Sequence, residues 1–450
     1  MSGNSLPGIK TLQYIALGAF ALSTSLFAAE TTAAKSVTFH KDIVPIFQEK
    51  CQDCHRKNSM APMSLVSFEE TRPWAKSIKQ RVASRQMPPW HMDRTVGVQK
   101  FMNDRSLNDE QIATIVKWVD AGALAGDVKD APTAKVWDDS NGWKLKAEYG
   151  EPDMVVSTSN FTVPKVGQDQ WYKPYSDIPV TEERWVRAVE MRPSTVAGCK
   201  VTHHILAYLL QTEGTDPNAP RSNQGLLMEW AVGKSYDIYR KNSGKLLMPG
   251  SKIWWEIHTH SVGEDITDHG ELAIWLYPKD QKPAYRTRLG IFGATEKTSA
   301  RLDIAPNTMQ VTQDFHVLPR PARLENFQPH MHLRGKAMSL EAILPDGSTQ
   351  MISYVNNFNF NWMTNYIYAD DAAPVLPKGT ILHVTAWHDN TRSNPNNPDP
   401  DQWVGWGDRT VDEMAHAWVN VTYITDDDYK AWQSEHRTAS PRGLTSNNQQ

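Results

Sequence analysis

The sequence predicts a small all-α domain near the N-terminus followed by antiparallel β-sandwich structure. Three observations lead there. The chain has 450 residues, room for about three domains at roughly 150 residues each. Its 17 Trp and 28 Pro favour loop-rich β structure over a helical bundle. Helical periodicity is confined to residues before about 126, after which strand-length runs alternate with Gly and Pro turns. With 40% hydrophobic and 22% charged residues, the chain can bury substantial cores. The 47 basic and 51 acidic residues leave a net charge of -4, which excludes a broadly basic, nucleic-acid-coating protein. Three Cys cannot build a disulfide framework.

Residues 1–29 read as a secretory signal: Lys10, a nearly uncharged apolar run from Thr11 to Phe27, then Ala28 and Ala29. The expected destination of the mature chain is a periplasm. The rival reading is an uncleaved anchor, the one route to membrane contact, since 17 residues is at the short end for a spanning helix.

Residues 36–126 form the expected helical domain, here a cytochrome c domain. Cys51-Gln-Asp-Cys54-His55 has the C-x-x-C-H spacing of c-type haem attachment, with two thioether cysteines and an adjacent axial His. A zinc site needs two further ligands nearby, and a redox pair expects a βαβ context. Helices are expected over Phe39 to Glu49, over Pro73 to Arg85, and after a capping box at Ser106 and Asp109, the last carrying Ile112, Ile115, Val116 and Val119 on one face and stopping near Gly122. The sixth haem ligand is sought among Met60, Met63, Met87, Met92 and Met102. Met87 is preferred, because Pro88 and Pro89 fix a rigid loop behind a helix; His91 is the alternative. Residues 127–150 read as a linker.

Strands are expected at Val201–Leu210, Ile253–His260, Glu271–Tyr277, Ser339–Leu344, Ile381–Trp387 and Ala415–Tyr423. Histidines cluster on them: His203-His204, His258-Thr-His260, His330-Met-His332, and Met414 with His416. Residues i and i+2 share a strand face, so His-x-His aims two imidazoles at one point. Adjacent His203 and His204 converge only at a strand end or a local distortion. Imidazole-rich sites suit zinc or copper, and a thioether shifts the preference to Cu(I). A neighbouring haem implies electrons, which zinc cannot accept. Cys199 reads as a buried thiol.

From about residue 151 to 428 the chain resembles the copper type II, ascorbate-dependent monooxygenases, the family of peptidylglycine α-hydroxylating and dopamine β-monooxygenases. It resembles most their bacterial relatives with a leading cytochrome c module. Thr202-His203-His204-Ile205-Leu206 matches the adjacent His pair of the electron-transfer copper. Glu256-Ile257-His258-Thr259 matches the third ligand, with Thr259 where the family has Tyr and His260 as a competitor. Pro329-His330-Met331-His332-Leu333-Arg334-Gly335-Lys336 and Thr410-Val411-Asp412-Glu413-Met414 match the substrate-side copper, held by two His and one Met; His416 is the less favoured substitute for Met414. Asp389-Asn390 through Pro400 also resembles bacterial members, though His388 departs from the usual aromatic there.

The resemblance implies two jelly-roll domains, 151–300 and 301–428, before a polar tail, 429–450. It implies two coppers and, with the haem motif, one covalent haem c. The implied activity is hydroxylation of a C–H bond of a small organic substrate with O2, with electrons entering through the haem from a quinol-linked or soluble cytochrome donor. No nucleic-acid partner is expected. The rival readings are a cytochrome-fused copper reductase or oxidase of a small molecule, a non-catalytic electron-transfer or copper-binding protein, and a zinc lyase or hydrolase. Trp254, Trp255, Phe358, Phe360, Trp362, Tyr366 and Trp403 are candidate cleft aromatics or core.

Overall fold

The computed structural model describes residues 36–57, 59, 61–136, 142–213, 222–294 and 301–437. The expected signal, Met60 and the end of the tail lie outside the described residues. Strand accounts for 37% of the chain and helix for 17%, so the β class expected from composition holds. No helix among the described residues is long and apolar enough to cross a membrane.

The helices come first. Phe39–Ile43 is a π-helical turn leading into Val44–Lys50, Ala75–Ala83 follows a short 3-10 turn, and Asp109–Asp120 is the longest of this group. The last is capped by Asn108 and Gln111, whose side chains take each other's backbone N–H at 2.8 and 3.0 Å. The expected Ser106/Asp109 box is therefore displaced: Asp109 is already the first helical residue, and Ser106 donates its N–H to Asp104 instead. Phe39, Ile43, Phe47, Ile115 and Trp118 close a separate apolar core, with Cys51 and Met63 packed against it. Fully burying each such side chain is worth about 1.5–3 kcal/mol.

The remaining chain is built from sheets that are antiparallel except where Tyr285–Ala294 runs parallel to Ser243–Leu247. In the first half, a five-stranded sheet contains Lys252–Thr259 between Gln170–Tyr172 and Thr202–Gln211. In the second half, a four-stranded sheet runs from Met309–Val317 through Ile381–Asp389 and Gly335–Ile343 to Thr349–Val355. An eleven-stranded sheet serves both halves, because Tyr285–Ala294 pairs antiparallel with Ala415–Tyr423. Separate apolar cores fill the two layers, one around Val186, Ile205, Trp255 and Ile274, the other around Phe327, Met338, Leu340 and Val419. The expected turns form where Gly supplies positive φ, at Gly347 (84°) and Gly379 (85°).

Two segments hold more structure than their composition suggested. Residues 142–150, read as linker, pack Trp143, Leu145 and Tyr149 on Ala188, Ala273 and Trp275, and Glu190 accepts the Lys144 and Leu145 N–H groups at 3.0 Å. The helix Asp426–Arg437 runs into the segment read as a polar tail. Thr425 and Asp428 form its capping box, and Tyr429, Trp432 and His436 stack along it. Residues 90–103 dock on the second half: Trp90 and Met92 enter its core, and Trp90 meets Tyr366 edge-on at 4.7 Å.

Candidate metal centres

The first centre forms where Thr202–Gln211 meets Lys252–Thr259. His204 lies opposite His258, but the next pair is Thr202 with Thr259, so His203 is the extra residue of a bulge. A bulge re-aims a side chain, and here it provides the distortion that lets two adjacent imidazoles converge. Their Nδ1 atoms face each other at 3.1 Å. Potential ligand atoms of His203, His204 and His258 all lie within 4.8 Å of one another. His258 donates its Nε2–H to Asp169 at 3.0 Å, which leaves Nδ1 for the cluster, and it stacks on Trp171 at 4.4 Å. His260 lies beyond the strand end, its N–H bonded to Val201. The i, i+2 argument thus fails for this pair, and the trio forms with His258.

Burial pushes the His203 ring down to about 3, with His258, His260 and His332 adding to the effect. Burial and the surrounding imidazoles likewise hold His204 well below the usual range. Burial lowers His258 too, against the opposing pull of Asp169. Neutral rings keep their lone pairs available for a metal.

The second group belongs to the other half. His330 ends the strand Asn326–His330, and His332 lies just past it, their rings 5.5 Å apart. Nδ1 of His330 is buried with no hydrogen-bond partner among the described residues, and burial with His332 and His416 keeps the ring far below its ordinary pKa. His332 donates Nδ1–H to the Asp412 carbonyl at 3.0 Å, leaving Nε2 for coordination. Met414 immediately precedes the strand Ala415–Tyr423, half-buried, its carbonyl accepting from His388 Nε2 at 3.1 Å. His416 pairs with His330 across the strands. Its Nε2 accepts from Trp406 at 3.5 Å and its ring has a backbone bond at Ala294, so it is occupied elsewhere.

Glu413, fully buried, holds the loop that carries His332. It accepts the N–H of His332 at 2.9 Å and of Arg334 at 2.6 Å, with His388 at 3.5 Å. Burial works to raise its carboxyl, but the bonds from His388 and His332 keep it below the usual range. The buried Arg334 guanidinium spans Asn390, Val411 and Asp399. His388, the departure noted in the sequence, thus belongs to this clamp.

Around the C-x-x-C-H motif, His55 Nδ1 lies 3.3 Å from the Met63 carbonyl, an orientation that leaves Nε2 for axial ligation. Cys51 and Cys54 are free thiols; burial, then Cys54, pushes Cys51 up to about 12. Met87 and His91 both line a cavity of about 380 Å³ with Val82, Leu107 and Ile112. Burial, then Asp268, pushes the Cys199 thiol up to about 12.

Asp169 and Trp171 were missed in the sequence; nothing local marks them, and only the strand pairing of Trp171 with His258 brings them in. Phe360 was one of seven candidate aromatics. It stacks on His203 at 4.7 Å and meets His332 at 5.8 Å. Trp255 and Tyr366 are core, and Trp403 is exposed.

No family model matches the chain, and no curated protein does. Among solved structures it is similar to PNGF-II (8% identity, 60% of this chain, 65% of that chain, TM-score 0.27). It is also similar to a candidate α-L-fucosidase of Bacteroides ovatus (7%, 69% and 43%, TM-score 0.17) and to the major capsid protein P2 of bacteriophage PM2 (10%, 57% and 98%, TM-score 0.22). The chain thus spans less than two thirds of PNGF-II, and scores this low carry no argument about fold or function.

Proposed function

We propose that the chain is an exported copper monooxygenase in which a fused cytochrome c domain feeds two copper centres carried on two jelly-roll domains. The observation that supports this most strongly is the convergence of His203, His204 and His258 beside a second histidine pair, with one ring, Phe360, touching both groups. The second pair fits a metal as well, because a buried, unpartnered His330 Nδ1 adjoins a His332 ring oriented by the Asp412 carbonyl.

In this reading His203, His204 and His258 hold one copper, and His330, His332 and Met414 the other. Bound copper supplies one-electron transfer and, as Cu(I) beside a thioether, reactivity towards dioxygen. The balance is R–H plus O2, two electrons and two protons to R–OH plus water, so two one-electron centres suit it. The chain's own residues prepare the site. Asp169 fixes the His258 ring, the Asp412 carbonyl fixes His332, and Glu413 holds the backbone between His332 and Arg334. Phe360 stacks on the His203 ring at 4.7 Å and restricts its orientation. Cys51 and Cys54 would tether a haem and His55 would ligate it, with Met87 preferred over His91 to complete it; the two candidates line one cavity. Haem attachment outside the cytoplasm agrees with the expected signal and with a periplasmic donor such as a quinol-linked or soluble cytochrome.

The test is metal and haem quantitation of purified protein, followed by anaerobic reduction and rapid mixing with oxygen. Two coppers and one covalent haem are expected, with haem reoxidation that slows when copper is chelated. Fewer than two coppers after reconstitution, or reoxidation indifferent to chelation, rejects the reading.

A further inference from the structure

We infer that the two centres are built as one linked unit, the second half of the chain lending two residues, Thr410 and Phe360, to the surroundings of the first half's histidines. This deepens the proposed function and rests on its assignment of two copper centres. The first link runs from Thr410, whose hydroxyl donates at 3.3 Å to Asp169 Oδ2, the oxygen that accepts the His258 Nε2–H at 3.0 Å. Thr410 belongs to the turn that Arg409 and Asp412 close on themselves, with Arg409 Nε donating to Asp412 at 2.9 Å. The same Asp412 orients His332 through its carbonyl, and Glu413 and Met414 follow directly. His258 is thereby joined to His332 through Asp169 and one turn. From the second half comes Phe360, stacked on His203 and edge-on to His332. The two links use different residues and reach different histidines of the first centre.

The chemistry of the first link gives it consequences. A carboxylate accepting from the remote nitrogen of an imidazole makes the coordinating nitrogen a better donor. Thr410 donates to the same carboxylate oxygen, so it shares that negative charge and fixes the direction in which Asp169 points. Any change in the 409–414 turn, which carries the second centre's ligand, reaches the first centre as a change in how His258 binds. Asp169, Thr410 and Phe360 are positioning residues in this scheme; none is assigned as a ligand.

The test uses the full chain carrying His332→Ala, so that the three-histidine centre is left to load alone. Its Cu(II) affinity, by chelator competition, and its EPR spectrum are compared for Thr410, Thr410→Val, Thr410→Ser and Asp169→Ala. Asp169→Ala is expected to cost about 10–100-fold in affinity. Thr410→Val is expected to cost about 3–10-fold and to alter the EPR spectrum, and Thr410→Ser to restore both. Thr410 is only half-buried, and a fold-wide effect would show equally in the serine variant. Wild-type affinity and spectrum in Thr410→Val, or no rescue by serine, overturns the link while leaving two centres intact. Absence of copper at the three histidines in unsubstituted protein overturns the copper reading and the link together.

Discussion

Glu413→Gln tests whether the clamp behind His332 is as important as its geometry implies. The carboxylate is fully buried and accepts two backbone N–H groups, from His332 and Arg334. Hydrogen bonds to a charged acceptor are worth about 1.5–3 kcal/mol each. Glutamine keeps one acceptor and turns an NH2 towards the other N–H, so one bond is lost. The stranded buried N–H adds about 1–3 kcal/mol. The expected destabilisation is therefore roughly 3–5 kcal/mol, a large part of the roughly 5–15 kcal/mol that holds a domain folded. Urea unfolding followed by Trp fluorescence should show a lower midpoint at unchanged slope. A loss below about 1 kcal/mol would refute the reasoning, because two buried N–H groups cannot lose a charged acceptor at so small a cost.

If the proposed copper reading holds, Met414→Leu should lower the copper content, whereas His416→Gln should leave it unchanged, because Trp406 and Ala294 already engage the His416 ring; metal analysis of the two variants decides. Lys245 is fully buried, donates to the Leu226 and Leu227 carbonyls, and is pushed by burial from 10.5 down to about 7. The unfolded chain then binds a proton that the folded chain lacks between those values. Unfolding free energy should rise with pH from about 7 to 9, and Lys245→Met should flatten the rise in urea titrations; equal slopes would count against it. Thr425→Ala should cost the Asp426–Arg437 helix about 1 kcal/mol, read as faster hydrogen exchange of its amides with no change elsewhere.

The strands that carry ligands were legible because their period and flanks are local properties. Ala415–Tyr423 falls where expected, and Thr202–Gln211 and Lys252–Thr259 within a residue of it. The histidine pairs were legible as clusters, but their geometry was not. His332 and His260 lie beyond their strands, so strand alternation could not place them, and the bulge at His203 exists only through its partner strand. Asp169 lies 89 residues from His258 in the chain, and no local pattern spans such a separation. Glu413 was visible as part of a motif, but its task depends on the buried N–H groups it faces. Composition misled at 142–150 and 429–437, where polar sequence hides packed and stacked rings.

The strand Tyr285–Ala294 pairs with the earlier Ser243–Leu247 at Tyr285 and Arg286, but its other edge is covered only when Ala415–Tyr423 is in place. A chain emerging N-terminus first therefore holds an uncovered sheet edge through the passage of more than a hundred residues, and uncovered edges are adhesive. The same late strand also supplies the wall opposite His330 and follows directly after Met414. Sheet closure and assembly of the second centre thus become a single late event in maturation. A truncation anywhere before Ala415 would forfeit both at once, and metal offered to a nascent chain could find three histidines ready well before the other ligands exist.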